Sequence, residues 1–132
     1  MLVDTSAWIE AFKYQLTPYR TIISDHITSG GLIYTCPIIV QEVLQGVLQK
    51  DYAKTKGALA SCVLLSFDFQ FQMAEDASTI YRRCRAKGIT IRKANDCLIA
   101  HYAISYGLPL LHKDKDFNSI AQVHPLKIVK LP

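Results

Sequence analysis

Short apolar runs alternate along this chain with segments whose apolar residues recur every three or four positions, the patterns of buried strands and of helices packed against them. Residues 1–3 form the first run and end on Asp4. Ala7, Trp8, Ile9 and Phe12 then mark a helix that Thr5 or Ser6 would cap. Thr17 and Pro18 open a second helix through Tyr19, Ile22, Ile23 and Ile27, closed by Gly30 and Gly31, and residues 32–34 read as a second strand. Pro37 suits the first turn of a third helix whose buried stripe is Ile39, Val40, Val43, Leu44 and Val47. A further helix is predicted over 50–62, followed by an apolar run at 63–65. Phe67, Phe69 and Phe71 alternate with period two, as in an extended link. An amphipathic helix over 73–87 then buries Ala77, Ile80, Tyr81 and Cys84 and stops at Gly88.

The most informative stretch follows. Leu98, Ile99, Tyr102, Ala103 and Tyr106 form one helical face, with Asn95 as a natural N-cap, Gly107 as a stop and Pro109 forbidding continuation. Leu110 and Leu111 make a brief buried strand. Asp114 and Asp116 leave its end, a short helix is expected over 118–122, and a last strand over 126–129. Strands alternating with helices predict an α/β fold, a three-layer α/β/α sandwich around a short, mainly parallel sheet. Right-handed crossovers put the carboxyl ends of parallel strands on one edge, where such sheets bind ligands. Asp4 and Asp114 would meet there, with Asp96 and Glu42 supplied by helices.

Composition narrows the possibilities. A chain of 132 residues, half of them apolar, is long enough for one domain, residues 1–132, with a real core. Cys36, Cys62, Cys84 and Cys97 lie in apolar segments without zinc-like spacing and read as reduced, buried thiols of a cytoplasmic protein. No run approaches the roughly 20 apolar residues of a membrane span, and the opening lacks the basic leader of a signal peptide. His26, His101, His112 and His124 share no ligand spacing and read as structural or solvent-facing. Lys and Arg number 15 against 11 Asp and Glu. With four acids gathered in one site, 7 remain to set against the 15 cations, leaving the rest of the surface at +8. A basic body around an acidic pocket suits a polyanion gripped outside and processed within.

Four converging carboxylates repel one another unless a divalent cation holds them ionised. Carboxylate oxygens without His or Cys select Mg²⁺ or Mn²⁺ over zinc. Such a site polarises a phosphoryl group and activates water. Arg92 and Lys93 directly precede Asn95 and Asp96 and are candidate phosphate contacts. The cations of residues 82–87 sit in a helix's last turn, where the helix dipole already favours them.

Four motifs in order resemble those of the PIN-domain ribonucleases and, within them, the VapC toxins of type II toxin–antitoxin systems. They are Met-Leu-Val-Asp-Thr-Ser around Asp4, Gln-Glu-Val-Leu around Glu42, Asn-Asp-Cys-Leu-Ile-Ala around Asp96, and His-Lys-Asp-Lys-Asp-Phe from His112 to Phe117. The resemblance spans essentially the whole chain. It implies an RNA-cleaving enzyme with Asp4 and Asp96 as principal Mg²⁺ ligands, and Glu42 and Asp114 completing the pocket directly or through water. Ser6 would orient ligand or substrate. The fourth motif offers two acids: Asp114 is favoured for the metal, with Asp116 supporting it or capping the next helix. His112 stands where the family often has Thr or Ser. Family membership further implies a small antitoxin partner, usually a DNA-binding protein, and a homodimer.

Other classes remain in view. A PIN nuclease of RNA processing or decay without an antitoxin would share every motif, and a short adjacent reading frame would separate the two. An aspartyl phosphatase usually needs a second acid two residues after the first, and Ser6 stands there instead. An inactive RNA-binding scaffold has no reason to retain four mutually repelling acids.

Overall fold

The computed structural model describes all residues, Met1 to Pro132. Four two-residue strands form one parallel sheet in the order β3-β2-β1-β4, where β1 is Leu2–Val3, β2 Tyr34–Thr35, β3 Val63–Leu64 and β4 Leu110–Leu111. Leu2 pairs with both Tyr34 and Leu110, which makes β1 a central strand, and Leu2, Val3, Leu110 and Leu111 are fully buried. Such continuous apolar strands belong to a sheet covered on both faces.

Seven helices accompany the sheet: α1 (Thr5–Ala11), α2 (Pro18–Thr28), α3 (Pro37–Gly46), α4 (Tyr52–Ala60), α5 (Gln70–Ala86), α6 (Ala94–Ser105) and α7 (Lys115–Ala121). One group packs α1 against α2 and α3, and α3 against α4; the other packs α5, α6 and α7 together. The α/β class expected from the alternation of patterns is the observed one, with a wholly parallel sheet. The core is a cluster of 27 buried residues running from Met1 to Leu126.

Several boundaries differ from the sequence reading, each for a local reason. Strand β2 starts two residues later than expected, at Tyr34, because Leu32 is exposed and its carbonyl accepts from the Met1 ammonium at 2.9 Å. The expected helix over 50–62 is a 3-10 turn, Gln49–Asp51, followed by the shorter α4. The period-two link ends at Phe69, because α5 already begins at Gln70 and takes in Phe71. Phe67 packs on the rings of His101, Tyr102 and Tyr106, while Phe69 and Phe71 are left 80% and 83% exposed. The last strand is reduced to a single parallel bridge, Leu110 to Ile128. Gly88 and Gly107 follow α5 and α6 with φ of +76° and +64°, the left-handed backbone that only glycine adopts without strain.

Candidate active site

Asp4, Asp96 and Asp114 stand at helix starts that the local sequence builds, and Glu42 lies within α3. Asp4 leaves β1 in an extended conformation and itself caps α1, accepting from the Ser6 backbone N–H at 2.8 Å and from the Ser6 hydroxyl. The expected caps, Thr5 and Ser6, are instead the first residues of the helix. Their hydroxyls are therefore free for other work: Thr5 Oγ1 donates to Glu42 Oε2, and Ser6 Oγ accepts from the Lys113 N–H at 2.9 Å. Ser6 thus joins the exit of β1 to the exit of β4.

Glu42 lies on α3, half-buried, and its second oxygen accepts from Asn95 Nδ2 at 2.9 Å. Asn95 is not the N-cap of α6. Lys93 holds that position without a side-chain cap bond, and Asn95 is inside the first turn, aimed across at α3. Sequence reasoning assigned Asn95 to capping and missed this bracing role, because its partner is 53 residues away.

Asp96 follows in the first turn of α6, 5% exposed, and its Oδ2 has no hydrogen-bond partner. Asp114 caps α7 by accepting from the Asp116 N–H at 3.1 Å, so the capping role considered for Asp116 belongs to Asp114. Asp116 is the more deeply placed of the pair, 4% exposed, and is bonded to Arg92. One oxygen from each of Asp96, Asp114 and Asp116 lies within 4.8 Å of the other two. Asp4 and Glu42 stand outside this tight triad; the Asp4 charge acts on Asp96, and the Glu42 charge on Asp4.

Electrostatics reflect the crowding. Burial, then the charges of Asp4 and Asp114, push the Asp96 carboxyl up to about 7. Burial also raises Asp4, against the hydrogen bonds of Ser6, with Glu42 adding to the rise. Burial pushes Asp114 up, but the Asp116 N–H and the Lys93 and Arg92 cations outweigh it, and Asp114 titrates below the ordinary value. Burial raises the Cys36 thiol to about 11 and the Cys97 thiol to about 12, so the sulfurs nearest the acids are neutral at pH 7.

The two basic residues singled out in the sequence sit against the acids. Arg92 Nη2 reaches Asp114 Oδ1 at 2.7 Å, Arg92 Nε reaches Asp116 Oδ2 at 3.1 Å, and Lys93 Nζ reaches Asp114 Oδ2 at 3.3 Å. Both side chains are more than half exposed. Two further lysines border the same cleft: Ser6, Arg92, Lys113, Asp114 and Lys115 line it without one apolar side chain. Lys113 and Lys13 share the Glu10 carboxylate at 2.7 and 2.6 Å. His112 is buried beside Phe117 with both ring nitrogens unpartnered, and burial lowers its pKa.

The comparisons with known proteins agree with this geometry. Residues 1–123 match the PIN domain family. The chain is 34% identical over 132 residues to Ribonuclease VapC11 of Mycobacterium tuberculosis and to VapC ribonuclease Mb1587 of Mycobacterium bovis, each match covering 96% of both chains. Its fold is similar to that of VapBC2 from Rickettsia felis, solved with a promoter DNA fragment, at a TM-score of 0.74, with 17% identity and coverage of 99% of this chain and 98% of that one. DNA-bound VapBC from Salmonella typhimurium gives the same TM-score of 0.74 at 20% identity, covering 97% and 95%. The acids at the strand exits, the parallel sheet and these matches make one case: the chain belongs to the PIN-domain family, in its VapC ribonuclease branch.

Proposed function

We propose that this chain is a divalent-metal endoribonuclease, the toxin of a type II toxin–antitoxin pair, acting in the cytoplasm as one nuclease domain over residues 1–132. The observation that carries the reading is Asp96. A buried carboxylate with an unpartnered oxygen, facing Asp114 and Asp116 across less than 4.8 Å, is costly unless a cation completes it. The donor set fits a hard ion: it is carboxylate oxygen only, and the neighbouring thiols are neutral at pH 7.

Asp4, Glu42, Asp96 and Asp114 would hold Mg²⁺, with Mn²⁺ as substitute, and Asp116 would support them. Bound there, the ion would supply the positive charge that polarises a phosphoryl group and activates water for hydrolysis of an RNA phosphodiester bond. The protein's own part is positioning. Ser6 fixes Asp4, while Thr5 and Asn95 fix the two oxygens of Glu42, so neither acid has to reorganise when substrate arrives. Arg92 and Lys93 stand at the rim, where they would meet RNA phosphates, and the basic surface would hold the flanking strand.

Two partners follow from the family. An antitoxin is supported by the fold neighbours, which are VapBC assemblies. An arginine inserted by it among the carboxylates would block the cation's place. A homodimer would bury exposed apolar residues such as Tyr52, Phe69 and Phe71.

Cleavage of total RNA by the purified chain tests the reading. Activity should appear with Mg²⁺ or Mn²⁺, stop with EDTA, and be absent from folded Asp4→Asn and Asp96→Asn proteins. Cleavage by Asp96→Asn near the wild-type rate with metal chelated would refute it. Co-expression with the product of the adjacent short reading frame should give an inactive complex; an active, unassociated chain would remove the toxin role alone.

A further inference from the structure

We infer that Arg92 is a positioning residue that occupies the acid cluster in place of a divalent cation and yields Asp114 when the cation binds. The inference rests on the proposed role of Asp96 and Asp114 as cation ligands, with Asp116 supporting them.

One residue satisfies two of the three convergent acids. The Arg92 backbone N–H donates to Asp116 Oδ2 at 3.0 Å, and its Nε lies 3.2 and 3.1 Å from the two Asp116 oxygens. Its Nη2 donates to Asp114 Oδ1 at 2.7 Å. A guanidinium is planar and permanently charged, so it can bridge two carboxylates as a divalent ion would. Asp96 is outside this embrace, and it is Asp96 whose buried Oδ2 is left without a partner.

The two attachments differ in permanence. Asp116 is held by the Arg92 main chain as well as its side chain, and it is buried. Asp114 keeps the Asp116 N–H of its helix cap, but the cations reach it only through the tips of exposed side chains, Arg92 Nη2 and Lys93 Nζ. Exposed pairs of that kind are weak and are readily exchanged. An arriving cation therefore competes for Asp114 and meets little resistance there, while Asp116 stays tied to Arg92. The oxygens bonded to the guanidinium cannot offer the same lone pairs to a metal, and the fixed positive charge repels a second cation. Released from Asp114, Nη2 remains anchored through Nε at the cleft it lines with Ser6, Lys113 and Lys115, facing the place of an anionic phosphate.

Binding of Mn²⁺ to the full chain at neutral pH, without RNA, tests the exchange; free ion is counted by electron paramagnetic resonance. Arg92→Gln should bind Mn²⁺ roughly fivefold more tightly than wild type, the scale of a lost exposed ion pair. Arg92→Lys, which reaches only one acid, should fall between them. Circular dichroism checks the fold, and if Arg92→Gln does not fold, Arg92→Lys carries the comparison with the same sign. Equal or weaker binding by the folded variants overturns the inference, since a merely structural arginine would leave the affinity unchanged or lower it. Wild-type binding that is lost in Asp96→Asn but unchanged in Arg92→Gln overturns the exchange and leaves the ligand assignment standing. Tighter binding in Arg92→Gln with no effect of Asp96→Asn supports the exchange and removes Asp96 from the ligands. No binding by any protein removes both.

Discussion

Asn95 Nδ2 donates to Glu42 Oε1 across 2.9 Å, so the residue preceding Asp96 on α6 fixes the acid carried by α3. Thr5 at the start of α1 holds the other oxygen, and three helices thereby share one carboxylate. Asn95→Ala should leave the fold intact, cost about 1–2 kcal/mol for a bond to a charged acceptor, and slow RNA cleavage roughly tenfold by loosening Glu42. Asn95→Asp should do more harm, because it sets a carboxylate against a carboxylate. Urea unfolding and single-turnover cleavage give the two readouts. Unchanged cleavage in folded Asn95→Ala would show that Glu42 needs no such brace.

The raised carboxyl of Asp96 makes a prediction about pH. Its folded value of about 7 lies above its ordinary value of 3.8, so the folded state binds the proton more tightly than the unfolded chain. Without metal, this group's contribution is fully present below pH 3.8 and is lost as pH rises towards 7. Asp96→Asn should therefore be more stable than wild type at pH 8 in EDTA, by on the order of 2 kcal/mol after allowance for solvent screening. It should gain nothing near pH 4. Denaturation curves at both pH values decide it, and an equal gain at both would assign the effect to something other than ionisation.

Much of this was legible in the sequence because the acids coincide with pattern boundaries. Asp4 directly follows the apolar run of β1, Asp114 lies three residues past that of β4, and Glu42 borders the stripe of α3. Residue-level roles were less legible. Whether Asp4, Thr5 or Ser6 caps α1 depends on the backbone, and Asp4 takes the extended conformation that the cap requires. The bonds Asn95–Glu42 and Arg92–Asp116 join residues 53 and 24 apart, so no local periodicity announces them. The three phenylalanines misled because alternation over five residues suits a strand, whereas contact with the rings of α6 governs Phe67 and the start of α5 takes Phe71. Arg92 and Lys93 were singled out for phosphate, and the acids they already neutralise were not foreseen.

Asp114 and Asp116 should separate activity from stability. Asp114→Asn keeps a residue that caps a helix well, so α7 should persist while the pocket loses a charge. Asp116→Asn weakens the buried acceptor of the Arg92 N–H and should cost on the order of 1 kcal/mol. RNA cleavage should fall further in Asp114→Asn, and the unfolding midpoint further in Asp116→Asn. The reverse order in both assays would make Asp116 the fourth acid of the site.

Cation binding should also be visible as folding stability, independent of turnover. A ligand that binds only the native state stabilises it in proportion to the logarithm of its excess, about 2.7 kcal/mol at a hundredfold excess over its dissociation constant. Mg²⁺ or Mn²⁺ should raise the unfolding midpoint relative to EDTA. The rise should be larger at pH 8 than at pH 6, because the Asp96 carboxyl, raised to about 7, must lose its proton to become a ligand. Acid therefore stabilises the metal-free protein through Asp96 and narrows the gain that the metal adds. Between pH 6 and pH 8 the metal-free profile should fall with rising pH through Asp96, while the metal-saturated profile should be flat through that group. Asp96→Asn should flatten the metal-free profile by removing that proton. Thermal unfolding across that range, with and without metal, reads out the contrast, and parallel profiles in the wild-type protein would show that the cation does not bind through Asp96.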